Sequence, residues 1–236
     1  MKKKVAIIQS NYIPWKGYFD IINDCDTFVF YDDVQFTKND WRNRNKIKIE
    51  GGTHWLSVPV GTELNRLIKE VKIQPGPWGR KHFKSIEQFY LKTPYFKMYR
   101  DFFADVYMDK KWEYLSELNH YIIKSIAKDF LKVETEFVCS DTYNPEGKRL
   151  ERLIDLLKKC GAEEYVSGPS AQSYIDENEF LKNGIEIKFK DYTGYPEYPQ
   201  LHPPFEHSVS VLDLLFNTGP DAPYYIWGWR EGSTKQ

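Results

Sequence analysis

Residues 4–32, KVAIIQSNYIPWKGYFDIINDCDTFVFYD, hold two short apolar runs around a segment of helical period. Lys4–Gln9 (KVAIIQ) and Thr27–Asp32 (TFVFYD) are continuously apolar rather than alternating. That is the pattern of strands buried on both faces of a parallel sheet. Lys16–Asn23 between them has the length of a short helix. Outward from this unit, Thr135–Ser140 (TEFVCS), Glu164–Gly168 (EYVSG) and Ile185–Lys190 (IEIKFK) repeat the strand signature. Glu146–Cys160 places Leu150, Leu153, Ile154 and Leu157 on one helical face, and Gly161 follows where a C-cap belongs. Strands alternating with crossover helices predict a Rossmann-like α/β fold, a parallel sheet with helices on both faces.

Two regions break the rhythm. Asn45–Val60 reads as a β-hairpin around Gly51-Gly52, with Val71–Gln74 as a further short strand. Arg80–Asp129 reads as mainly helical, interrupted at Thr93-Pro94. With no repeat and no flexible linker, the expectation is a single α/β domain over 1–236, with a hairpin and helical insertion at about 45–130. The C-terminal Tyr192–Pro204 reads as an ordered loop and Val209–Asn217 as a helix. The aromatic YYIWGW (224–229) suits packing either inside the chain or against another subunit, so the oligomeric state stays open.

The balance of 33 basic against 34 acidic residues argues against general nucleic-acid binding. Three scattered cysteines without a CxxC pair make neither a disulfide framework nor a cysteine zinc site. No stretch approaches the roughly 20 apolar residues of a membrane span. The apolar run after MKKK is about five residues, short of a signal h-region, so a cytoplasmic location is expected.

In an open parallel sheet, ligands bind beyond the carboxyl ends of the strands. Every strand end here is polar: Gln9, Ser10, Asn11 and Tyr12; Tyr31, Asp32 and Asp33; Ser140 and Asp141; Ser167 and Gly168; Asp191 and Tyr192. A shared cleft explains this, and so does the ordinary polarity of loops. The densest cluster is YDDVQFTKNDWRNRN (31–45). Lys38, Arg42 and Arg44 are candidates to hold phosphate, with Asn43 and Asn45 as neutral donors and Trp41 as a stacking face. Asp32 and Asp33 are candidates for hydroxyl recognition, for a base, or for Mg²⁺. The alternative is a solvated loop whose arginines pair with these aspartates. There is no GxxxxGK[ST] and no GxGxxG. His54, His82, His120, His202 and His207 show no metal spacing, and no transition metal is expected. Neither Ser167 nor Cys139 lies in a GxSxG elbow. Tyr192, Tyr195 and Tyr198 suit stacking on sugars or packing of their own loop.

The segments QSNYIPWKGYFDII (9–22), FVFYDDVQFTKNDWRNRNKIK (28–48), WLSVPV (55–60), YVSGPSAQSYI (165–175) and SVLDLLFNTG (210–219) resemble the WbqC-like protein family, in order and over nearly the whole chain. The matching positions are Gln9, Tyr12, Pro14, Trp15, Gly17, Tyr18, Asp32, Asp33, Gln35, Lys38, Trp41, Arg42, Asn43, Arg44, Asn45, Ser167 and Gly168. The resemblance implies a place in bacterial O-antigen or lipopolysaccharide biosynthesis, as a glycine transferase acylating an amino sugar. A weaker resemblance links Pro14-Trp15-Lys16-Gly17-Tyr18 to the first strand–helix turn of nucleotidylyltransferase and pantothenate-synthetase-like (HUP) folds. Both histidines of their HxGH pattern are absent here, and Lys16 would supply a substitute charge.

These readings give an amide-forming glycyl or acyl transferase acting on a nucleotide-linked amino sugar, with an amino-acid or acyl donor and ATP with Mg²⁺ for activation. Asp32, Asp33 and Lys38 are its catalytic candidates. Gln9, Asn11, Tyr12, Trp15, Lys16, Gly17, Tyr18, Trp41, Arg42, Asn43, Arg44, Asn45, Ser167 and Gly168 are its binding candidates. The alternative is a non-catalytic nucleotide-sugar or carbohydrate-binding module.

Overall fold

The run Thr27–Phe30 is buried at all four positions and forms strand β2. The computed structural model describes residues 2–63, 65–173 and 175–232. Strand β1 (Lys4–Ile8) leads through a loop into helix α1 (Lys16–Asn23) and then β2. The hairpin is β3 (Arg44–Ile49) and β4 (Gly52–Ser57), followed by helices α2 (Trp78–Tyr90), α3 (Phe96–Ala104) and α4 (Leu115–Ser125). The chain then returns to the sheet with β5 (Glu136–Cys139), α5 (Arg149–Lys159), β6 (Glu164–Ser167), α6 (Glu177–Lys182) and β7 (Glu186–Phe189). Helices α7 (Val211–Thr218) and α8 (Trp229–Gly232) close it.

All pairings in the large sheet are parallel, in the order β5-β2-β1-β6-β7. Counting sheet strands alone, this is 3-2-1-4-5, the order of a doubly wound Rossmann-like sheet with its switch point between β1 and β6. The period of two divides each strand between faces. Ala6, Phe28, Phe30 and Val166 join α1, the hairpin, α2–α4 and α7 in one apolar cluster. Val5, Ile7, Val29 and Tyr165 join α5 and α6 in the other, where Ile154 and Leu157 meet Phe180 and Ile185. Gly161 takes φ +68°, as the C-cap reading requires.

Two local expectations are corrected. Val71–Gln74 is no strand, because Lys72 makes only an isolated bridge to Tyr114. The helical stretch breaks a second time at 110–114, between the end of α3's extension and α4. Ile226 is fully buried and Tyr225 and Trp227 pack on the core, so much of YYIWGW serves the interior. No described helix is long and apolar enough to cross a membrane.

Candidate functional site

Strand β1 pairs with β2 from Val5 through Ile8, and β6 pairs with β7 along its whole length. Between β1 and β6, however, only Lys4↔Glu164 and Val5↔Tyr165 are in register. The sheet therefore parts toward its carboxyl edge, which opens a crevice at the switch point. This crevice has a volume of about 470 Å³. Gln9, Trp15, Tyr18, Ser167 and Gly168 line it, together with Tyr31, Leu153, Tyr165, Ser170 and Tyr192. A second cavity of about 280 Å³ lies beside it, lined by Asn11, Pro14, Trp15, Trp41, Asn45 and Ser208. The Trp15 indole borders both.

Trp15 rests against a glycine, Gly17. A Cβ on Gly17 would fall 2.2 Å from Trp15 Cζ2, so the helix backbone is where the indole rests. Tyr192 meets the indole edge-on at 4.9 Å and Tyr195 at 6.1 Å. Gly17→Ala is expected to cost about 1–3 kcal/mol through overpacking and to push the indole out of the wall it forms. Thermal denaturation and tryptophan fluorescence would read both effects.

The loop that delivers Asn11 and Trp15 is strained at Ile13, where a β-branched residue takes φ +36°. Asn45 holds it there, its Nδ2 donating to the carbonyls of Ile13 (2.9 Å) and Tyr12 (3.2 Å). Asn45 and both loop residues are buried. Asn45→Ala leaves those carbonyls without a donor, for an expected loss of about 1–3 kcal/mol in urea denaturation.

The remaining candidates lie elsewhere. Asp32 and Asp33 are adjacent at a strand end, so their side chains leave on opposite faces. Asp32 Oδ1 accepts from the Ser10 N–H at 2.8 Å, and Oδ2 faces His120 Nε2 at 2.7 Å. Asp33 accepts from Ser140 Oγ and from Arg152 Nη2 at 2.6 Å. Every carboxylate oxygen of the pair is thus engaged, and they do not converge on one Mg²⁺. Among the described residues no three His, Cys, Asp or Glu side chains form a ligand set. The described side chains at this edge therefore do not fit a protein-held Mg²⁺.

Arg42 pairs with Asp40 and bonds Thr37 at 2.5 Å. Arg44 donates to the Asn39 carbonyl and lies 4.4 Å from the Trp55 ring centre. The arginines therefore serve their own loop, with Asp40 rather than Asp32 or Asp33 as the acidic partner. Lys38 is exposed, and Asn43 is buried with its Nδ2 on the Val58 carbonyl. Trp41 is 43% exposed and leans on Trp55 at 5.5 Å.

Lys16 is 3% exposed, with Nζ 4.7 Å from the Tyr195 ring and 5.4 Å from that of Tyr198. Burial lowers its pKa to about 8 against the pull of Asp213. Its ammonium thus sits under the C-terminal loop rather than among the crevice residues. Tyr12 is also interior, sharing its hydroxyl with His82 Nδ1 and the Tyr107 hydroxyl. Tyr195 bonds Asp20 and Tyr198 bonds Asp213, so of the three loop tyrosines Tyr192 is the one in the crevice. Among the described residues, no Lys, Arg, His, Asp or Glu lines the crevice, whose described wall is aromatic, aliphatic and neutral-polar.

His120 is the residue that sequence reasoning passed over as a site. It comes from α4, lies flat on Phe30 at 3.8 Å and is paired with a carboxylate 88 residues away. Burial alone would lower its pKa, yet bonds from Asp32 and Cys139 outweigh burial and raise it.

No solved structure matches the chain. Uncharacterized protein Rv1507c of Mycobacterium tuberculosis (strain ATCC 25618 / H37Rv) is 43% identical over 226 residues, covering 95% of this chain and 97% of the relative. A model of the WbqC-like protein family matches residues 9–225. That span takes in the switch-point crevice, the strained loop and the Asp32–His120 pair, and the chain belongs to the WbqC-like protein family.

Proposed function

We propose that the chain binds a nucleotide-linked amino sugar in the switch-point crevice and its neighbouring cavity, and transfers a glycyl or other acyl group to the sugar nitrogen. The single observation that carries the reading is the pair of cavities meeting at Trp15. Rings suit a nucleoside base and a sugar face, while Gln9, Ser167 and Ser170 suit hydroxyls and neutral phosphate contacts. α1 starts at the crevice with no side-chain cap on its first turn, which leaves backbone N–H groups as donors to an anion. The family's association with surface-polysaccharide synthesis supports the same substrate class.

A binding module without catalysis is the second reading. It is favoured by the lack of any acid or base among the described residues of the crevice wall. Mass spectrometry separates the two: a nucleotide-linked amino sugar is incubated with the protein, glycine, ATP and Mg²⁺, with ATP omitted as control. A glycyl mass gain that requires ATP is the expected result. Unchanged mass across several amino sugars and acyl donors, with binding retained, assigns the module.

A further inference from the structure

Cys139 ends β5 in register with Phe30 on β2, so its side chain leaves the sheet on the face that carries Phe137 and Phe30. His120 stacks on Phe30 at 3.8 Å and 18°, which brings its imidazole to the strand position beside Cys139. His120 Nε2 is 2.7 Å from Asp32 Oδ2. An ionised carboxylate only accepts, so Nε2 carries the proton and the other ring nitrogen keeps a lone pair. Asp32 is fixed in turn, since the Ser10 N–H donates to Oδ1 at 2.8 Å and the Lys69 N–H to its carbonyl at 2.9 Å. The result is a carboxylate set by the backbone, an imidazole set by the carboxylate and a phenyl ring, and a thiol on the neighbouring strand position. This is the arrangement by which a base oriented by a third group activates a nucleophile.

The surroundings agree. Lys124 Nζ lies 5.6 Å from the Phe30 ring centre and Lys128 Nζ 5.7 Å from that of Phe137, so two cations from α4 and the turn after it stand over the same face. The other charges at this edge are paired with each other, Asp33 with Arg152 and Asp141 with Lys69. Cys139 is half-buried, whereas Cys25 and Cys160 are buried and their thiols pushed up, that of Cys160 to about 11.

We propose that Cys139 is a nucleophile, with His120 as its base and Asp32 as a positioning residue, that takes an acyl group from an activated carboxyl donor such as a thioester or acyl phosphate. His120 accepts the Sγ proton as the Sγ–acyl bond forms. The bond from the acyl carbon to the leaving group then breaks, and His120 returns the proton to that group. In the second half an amine attacks the thioester, the C–S bond breaks, and the amine proton passes through His120 to the thiolate. No electron acceptor is needed. This second half rests on the amide-forming reading above; the first half does not.

The test uses the full chain with two probes, iodoacetamide and p-nitrophenyl acetate, and locates adducts by peptide mass. Cys139 should be alkylated at pH 7 at least ~10-fold faster than N-acetylcysteine, and His120→Gln should remove most of that excess. Asp32→Asn, which keeps the side-chain shape, should slow it as well and serves if His120→Gln does not fold. The acetyl ester should leave one acetyl group on Cys139 in the wild type and none in Cys139→Ala. Alkylation of Cys139 at the N-acetylcysteine rate, indifferent to both variants, overturns the proposal. An acyl adduct with no transfer to any amino sugar leaves Cys139 as nucleophile and removes the proposed acceptor. Wild-type amide formation by Cys139→Ala removes the thioester and leaves the transferase.

Discussion

Asp20→Ala should lower the unfolding free energy by about 3–5 kcal/mol, the range for removing one partner of a buried ion pair. Asp20 lies on α1 and is 1% exposed. Its oxygens accept from Lys190 Nζ at 2.9 Å, from Arg230 and from the Tyr195 hydroxyl. One carboxylate thus ties the end of β7, the C-terminal loop and α8 to the first helix. Most of the expected loss comes from Lys190, whose side chain is 9% exposed and would keep only Asp24. Arg230 is 32% exposed, so water screens its share. Asp20→Asn keeps an acceptor for Tyr195 and should lose less. Urea denaturation of both variants gives the comparison, and equal stability of wild type and Asp20→Ala would refute the bridge. Because Tyr192 and Tyr195 brace Trp15, ligand binding should weaken with it.

Acid should destabilise the fold through His82 well before the carboxylates protonate. Its Nδ1 accepts from the Tyr12 hydroxyl at 2.8 Å and its Nε2–H donates to the Ser57 carbonyl at 3.2 Å. That pattern requires a neutral ring, and burial lowers its pKa from 6.5 to about 4. The unfolded chain takes up the proton near pH 6.5 and the folded chain only near pH 4. The stability is therefore fully present above pH 6.5 and lost as pH falls toward 4, by about 3 kcal/mol at ~1.4 kcal/mol per pKa unit. His120 has the opposite sign, since its raised pKa stabilises the fold below about 6.5 and fades as pH rises. Comparing wild type with His82→Gln at pH 7 and pH 4.5 isolates the first contribution. A flatter pH dependence in the variant is expected, and identical slopes would contradict it.

The strands and the long amphipathic helix were legible because burial leaves a period in the sequence. Continuous apolarity marked β1 and β2 as two-sided, and Leu150 through Leu157 marked the face of α5 that meets the second cluster. Gly51-Gly52 marked the hairpin, whose turn takes φ +72° at Gly51. The break at 110–114 carries no proline or glycine, so nothing in the local sequence announced it. Lys72 sits in a β-prone run but its backbone makes a single isolated bridge, to Tyr114, and a strand needs a partner that propensity cannot supply.

The site was half legible for a related reason. The sheet rule located the crevice ends of β1 and β6, and Gln9, Ser167 and Gly168 are there. Charge and proximity in the chain did not reveal that Arg42 pairs with Asp40 in its own loop and that Arg44 lies over Trp55 on β4. Adjacency of Asp32 and Asp33 suggested a pair, yet the strand's alternation sends them to opposite faces. His120 was hidden because its partners lie on strands far away in sequence.

The most direct test of the account is calorimetric titration of a nucleoside-diphosphate-linked amino sugar into the wild type and into Gly17→Ala. The two cavities meet at Trp15, and Gly17 makes room for its indole. The account predicts saturable binding to the wild type and a loss of about tenfold or more in the variant, with circular dichroism unchanged, or ~1.4 kcal/mol of binding free energy. Equal affinity in the two proteins, or no binding to either, would contradict it.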